Sequence, residues 1–404
     1  MESKGRRIGA WEYVGRTVTA LSFLATLNAA SAKLSSENPN IPKTPLFDKN
    51  KVKPIGFVLK WEVEHLPGRI KQIFSRDKQM SLEEEEEAIS GYFNGNRNDK
   101  QKAQKAIDRR INETLRAEGF KIAIPADIEI EKPFNTAAIA PDDKIEISQW
   151  VVIRGGISQD EKNKVEDEVE KSSGNKSIII FENGGAGYVY PSFVAEGGGK
   201  DFTQRTGIEE TLHINSALDE LGFEHGLDIS NIRKNIEVYI LAENVVNIAT
   251  DEINEKVNKR YPGEKAVFVK STKKDSATSS SYIMKIKNLK RNVNHLLREG
   301  RIKDSKILME EERQRINREE GTNIRKINTA WLAVNAAYSD EFSPVLHDGE
   351  NPLKNQESVW GMLVELRRLS SSLIEFWDTA MGITSFKELE NVLAKKRRLI
   401  EKAS

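Results

Sequence analysis

The apolar run Val238 to Ala249, VYILAENVVNIA, holds one carboxylate, Glu243, and that carboxylate constrains the fold more than any other residue. Burying a carboxylate without a partner costs several kcal/mol, so this segment has to pack against a donor, a cation or a metal ion. The preceding segment supplies candidates in Glu209-Glu210-Thr211-Leu212-His213. There Ile214, Ala217, Leu218 and Leu221 form an apolar stripe, and Gly222 stands where a helix would end. The pattern predicts helices over about 207–221 and 232–260, joined by a short connection and therefore antiparallel. At 1.5 Å per residue, Glu243 comes roughly level with His213.

Glu209 and His213 are four residues apart, so both project from one helix face toward a single ion, with Glu210 rotated away by one residue. This is the spacing of the zinc helix H-E-x-x-H with glutamate in the first position. The expected site is a divalent-metal cage of Glu209, His213 and Glu243, with Glu210 as general base. Two carboxylates and one imidazole would nearly neutralise zinc, weakening its effect on water and carbonyls. Such a site leans toward manganese or iron, or toward holding no metal at all. Thr206 to Glu209 also fits a capping box, in which Glu209 satisfies backbone N–H groups and binds no metal. His225 is expected in the connecting loop as a reserve ligand. Glu62 to His65 and Glu210 to His213 are two Glu-x-x-His copies, but Leu66-Pro67-Gly68 breaks the first, against a di-iron bundle.

The chain has 404 residues, enough for several packed layers, with 62 basic and 62 acidic side chains. That balance argues against nucleic acid as the main partner. Without cysteine there is no disulfide, zinc ribbon or thiol nucleophile, and with five histidines a metal site must use carboxylates. Lys4, Arg6 and Arg7 precede the apolar stretch Thr17 to Leu27 and the small residues Ala30-Ser31-Ala32, the pattern of an export signal over 1–32. An exported protein is expected, touching a membrane only if that segment stays attached. Residues 33–53 read as a linker, 54–125 as a helical region, 126–265 as the core, and 266–404 as a second helical region. Strands are expected at Ile122 to Ile130, Phe134 to Ile139, Lys144 to Ile153 and Ser177 to Phe181. A charged helix is expected at Asp160 to Glu170. The run SLEEEEEAI, from Ser81 to Ile89, reads as a capped helix with a solvated face. His65 and His295 read as packed or surface residues, and His347 as a loop residue.

The chain resembles an uncharacterised bacterial family of membrane-associated or exported zincin-like proteins of the gluzin type. Their pattern is H-E-W-T-H, then an L-G turn, then N-E-T-V-A. Glu209 to His213, Leu221-Gly222 and Ala242 to Val246 (AENVV) occupy those elements. Trp61-Glu62, Gly184-Gly185, Tyr190-Pro191 and the stretch Leu296 to Tyr338 extend the similarity. It implies an α+β zincin-like fold, a small mixed sheet whose last edge strand precedes the metal helix. It also implies a metallopeptidase with His213 and Glu243 as ligands, zinc as cofactor, Glu210 as base and a peptide or protein as substrate. The glycine-rich edge would pair with that peptide, and Tyr190, Arg325, Asn328 and Tyr338 are candidate substrate contacts. Glu209 departs from the family's histidine and Ala242 from its asparagine. The alternative is therefore an inactive relative acting as an envelope binding or scaffolding module.

Overall fold

A computed structural model describes residues 80–153, 155–187, 189–230, 232–262, 280–335 and 359–403. The export signal, the linker, Trp61-Glu62, His65, His347 and Tyr338 lie outside the described residues. Among those described, twelve α-helices and two three-stranded sheets give an α+β arrangement.

Helix α1 (Leu82–Phe93) opens on the expected cap: Glu84 N donates to Ser81 Oγ (3.1 Å) and Ser81 N to Glu84 Oε2 (2.7 Å). Its acidic run is not all solvated face, because Glu85 is 0% exposed. The Glu85 carboxylate meets Arg109 and, at 3.2 Å, Arg110 Nε on α2 (Lys100–Ala117). The first sheet takes one strand from β1 (Ile128–Glu131). The apolar run before it, residues 122–127, forms no strand. Its backbone bonds to side chains instead: Ala123 N and Ile124 N donate to Asn215 Oδ1 (2.9 and 3.1 Å), and Ala126 N to Asn112 Oδ1 (2.8 Å).

The second sheet has β2 (Asn135–Pro141) at its centre, antiparallel to β3 (Gln149–Ile153) on one side and to β4 (Lys176–Glu182) on the other. Helix α3 (Gln159–Ser173) packs Val165 and Val169 on this sheet. It also closes the open edge of β4: Ile180 N donates to Glu166 Oε1 (2.8 Å) and Ile178 N to Glu170 Oε1 (3.4 Å). Those carboxylates use up N–H groups that would otherwise template another strand. The chain returns to the first sheet through β5 (Gly185–Ala186) and β6 (Ser192–Ala195), in the order β1-β6-β5. β6 runs parallel to β1 and antiparallel to β5. The strand nearest the following helix is thus central rather than at the edge as expected; the edge strand is the short glycine-bearing β5.

Three helices follow in sequence: α4 (Gly199–Ser216), α5 (Glu220–Ile229) and α6 (Ile236–Arg260). Two of them depart from expectation, for reasons that lie in glycines. Helix α4 begins two turns early and runs through Gly207, where an added Cβ would sit 3.1–3.2 Å from Ile128 and Ile111. That glycine marks close helix packing rather than a start, so Thr206 is mid-helix and no capping box forms with Glu209. Gly222 lies within α5, where a side chain would collide with the Ser216 carbonyl oxygen. The expected connecting loop is therefore largely helix.

Around α6 closes the largest apolar core, with Leu212, Val245, Val246 and Ile253 at its centre. Helices α7 (Ser280–Arg298), α8 (Ile302–Glu320) and α9 (Thr329–Asn335) form a second cluster, with Val293, Ile316 and Leu332 buried. Helices α10 (Val359–Arg368), α11 (Leu373–Ala380) and α12 (Phe386–Ala403) cover α6, burying Leu363, Phe376 and Leu389. Trp331 and Trp377 are buried, and His295 is a surface residue beside Glu299 (3.3 Å).

Removing the Glu85 carboxylate leaves two guanidinium groups facing each other at a buried position. Glu85→Ala is expected to lower the unfolding free energy by about 3 kcal/mol in urea titrations. Glu83→Ala, at an exposed position, is expected to change it by less than about 0.5 kcal/mol.

Candidate metal centre

Glu243 finds its partners where α4, α5 and α6 meet. The Nε2 atom of His213 lies 3.9 Å from Glu243 Oε1, and that of His225 lies 3.4 Å away. The two imidazole rings are 5.5 Å apart between centroids, and one ligand atom from each of the three residues falls within 4.8 Å of the others. Ligand atoms around a tetrahedral zinc ion are separated by roughly 3.4 Å, so the cluster needs only a small contraction. All three residues are buried, with His225 1% and Glu243 9% exposed. The Tyr239 ring packs on His225 at 5.6 Å.

Burial sets the protonation states. Desolvation lowers His213 from the usual 6.5 to about 4. Desolvation, with the neighbouring His213 and Lys234, holds His225 well below its ordinary value. Both rings are therefore neutral and able to donate a lone pair to a cation. Glu210, partly exposed on α4, is pushed well above the carboxylate range, first by desolvation and then by the charges of Glu209 and Glu243. Its neighbour across the site is β5: a Cβ on Gly185 would lie 2.1 Å from Glu210 Oε1, and one on Gly187 2.5 Å from Oε2. Only glycine lets this strand pass so close to the carboxylate.

Of the expected ligands, His213 and Glu243 come together and Glu209 does not join them. Its Oε2 accepts from Arg205 Nη1 (3.0 Å) instead. Desolvation raises the Glu209 pKa, and the Arg205 charge opposes that rise. The third donor is His225. The expectation placed it in a loop, because two glycines in ELGFEHGLDI obscured the helix. The usable signal was spacing: Leu221, His225 and Asp228 recur at i, i+4 and i+7, and all three are buried.

The candidate substrate residues lie elsewhere. Tyr190 is buried, ahead of β6. Asn328 caps α9 by accepting from Trp331 N (2.8 Å) and donates to Glu170 (2.7 Å) and to Ile178 O (3.0 Å). Arg325 pairs with Glu166 and Asp167 on α3. Arg325 and Asn328 line a cleft of about 670 Å³ beside β4. Their contacts tie the segment before α9 to α3 and β4, and none of them is to α4, α5 or α6. Tyr338 lies outside the described residues. No known protein family, curated protein or solved structure matches the chain.

A histidine held neutral in the folded state binds fewer protons than the unfolded chain between about pH 4 and 6.5. Its contribution to stability is therefore complete above pH 6.5 and is lost as pH falls toward 4. In chelator-treated protein, the difference in unfolding free energy between wild type and His213→Gln is expected to change by about 3 kcal/mol across that window. Urea titrations at stepped pH measure it. Gly185→Ala, which forces a methyl group onto Glu210, is expected to cost about 2 kcal/mol in the same assay.

Proposed function

We propose that the chain is a metal-dependent hydrolase acting on peptide bonds, a divergent zincin-like protein of the gluzin type. The observation that carries this reading is the convergence of His213, His225 and Glu243 within 4.8 Å, beside the carboxylate of Glu210. The donor set fits zinc: two imidazoles and one carboxylate leave a net charge of +1 on the bound cation. A zinc ion with an open coordination position acidifies water and polarises a carbonyl.

The chain's own residues do the rest. His213 and His225 are kept neutral by burial, so neither has to lose a proton before it binds metal. Tyr239 packs against the His225 ring and fixes its tilt. Glu210, which retains some exposure, stands at the approach to the site. A cation bound by the neighbouring residues would draw this carboxyl to its ionised form, in which it can accept a proton. It takes a proton from the attacking water as the new C–O bond forms, and gives it to the amide nitrogen as the C–N bond breaks. β5 is an edge strand beside that carboxylate, a position that suits backbone pairing with an extended peptide. The leader-like N-terminus supports an exported location.

A second reading is a metal-free binding module derived from the same scaffold. One observation favours it: the β5 backbone sits directly against Glu210, leaving little room for a reacting group.

Elemental analysis of the purified full chain and an assay on unfolded casein separate the two readings. The hydrolase reading expects one zinc per chain, casein cleavage, and a loss of about 100-fold or more in Glu210→Gln with zinc retained. His225→Ala is expected to lose both zinc and cleavage. A chain that neither holds zinc nor cleaves casein supports the binding module.

A further inference from the structure

Helices α4 and α6 meet along an antiparallel polar seam, one rung per helical turn. His213 faces Glu243 (3.9 Å), and two turns away Arg205 Nε faces Asp251 Oδ1 (3.1 Å). Between them lies the rung of Glu209 and Asn247, both held by Arg205: Nη1 donates to Glu209 Oε2 (3.0 Å) and Nη2 to Asn247 Oδ1 (2.9 Å). Asn247 also donates from Nδ2 to the Glu243 carbonyl (2.8 Å), which fixes its amide. Glu209 thus stands one helical turn, roughly 5.4 Å, from the histidine on its own helix, on the same side of the seam. A carboxylate at that spacing can share an ion with His213.

We propose that Arg205 is a positioning residue that holds Glu209 out of the metal's coordination sphere, keeping the centre at three protein ligands with one position open. The inference rests on the metal reading of His213, His225 and Glu243. Its physical basis is charge accounting along the seam. Arg205 is bonded to Glu209 on this rung and to Asp251 on the next. Glu209 has a side chain only 17% exposed, so without the guanidinium it would be a poorly hydrated, uncompensated anion. A divalent ion held one turn away by His213 would supply that compensation. A fourth protein ligand would fill the position that a water or a substrate carbonyl needs, turning a catalytic type of site into a closed structural one.

Cobalt(II) and zinc(II), added to the chelator-treated full chain, provide the test, through competition with a chelator and through the d–d absorption of bound cobalt. Arg205→Gln is expected to raise affinity for both ions by about tenfold or more and to shift the cobalt spectrum. Arg205→Gln/Glu209→Gln is expected to cancel both effects, and Arg205→Lys, which preserves the ion pair, to leave the wild-type values. Glu209→Gln alone is expected to bind as wild type does, because Glu209 is not a ligand while Arg205 holds it. The inference is overturned if Arg205→Gln, folded by thermal melting, binds cobalt with wild-type affinity and spectrum. A fall in affinity in Glu209→Gln alone also overturns it, because Glu209 would then already be a ligand. If no variant and no wild-type sample binds either ion, the metal reading fails and takes this inference with it.

Discussion

Burying Glu243 in an apolar helix is the constraint around which the molecule is arranged. Helix α6 cannot place that carboxylate among Leu241, Val245 and Val246 without supplying compensation. The fold supplies it by bringing α4 and α5 against one side of α6 while apolar helices take the others. The result is a helix with two characters. One side carries a ladder of polar rungs, from Glu243 through Asn247 and Asp251 to Asn254, which accepts from Gln204 (2.7 Å). The remainder joins the apolar core with α2, α10 and α11. Hydrophobic burial fixes where α6 sits, and the ladder fixes its register against α4, because a slip of one turn would strand several charged groups at once.

The sheets serve this arrangement from outside. The first sheet is small, yet it sets the floor of the site, since β5 reaches Glu210 only because Gly185 and Gly187 lack side chains. The second sheet stands apart, sandwiched between α3 and the α7–α9 cluster. Arg325 and Lys326 pair with carboxylates of α3, and Asn328 bonds to Glu170 of α3 and to the Ile178 carbonyl of β4, which accounts for the polar pattern there. A patterned, charged segment need not signal a substrate cleft. Here it reflects how many charges are required to seal a sheet edge.

Most of the core was legible in the sequence because its signals are periodic. Helix α6, the capped helix α1, the charged helix α3 and strands β2 and β4 follow from spacing and caps alone, as does the meeting of His213 with Glu243, whereas β3 starts five residues later than its apolar run suggests. What could not be read depends on contacts between elements distant in sequence. The start of α4 was misplaced because Gly207 resembles a breaker, whereas it is there to admit Ile111 and Ile128. The run at 122–127 looks like a strand, but its backbone is satisfied by Asn215, some 90 residues away. Glu209 fits both a ligand and a cap by spacing. Its actual partner, Arg205, stands four residues earlier on the same helix. His225 was hidden for a related reason, since a glycine-flanked histidine in a short segment reads as a loop until α5 is seen packing against Ser216.

The choice of third donor has chemical consequences. Glu209, His213 and Glu243 would have cancelled the charge of a divalent ion, leaving little power to polarise a carbonyl. With His225 in place of Glu209, a bound divalent ion would keep one full positive charge, and the softer nitrogen donors would shift preference from manganese toward zinc. The same exchange moves part of the site onto the least secured of the three helices. Helix α5 has ten residues, two glycines and no side-chain cap at Asp219, whereas α6 has 25 residues and an Asn235 cap. Two of the candidate ligands therefore sit on long, well-packed elements and the third on a short one whose own helical stability is marginal. A cation bridging all three would bind only the closed arrangement, so its binding energy would also order α5. In that sense the metal would complete the fold of the site, and the ion pair of Arg205 with Glu209 would allow it to do so without being fully enclosed.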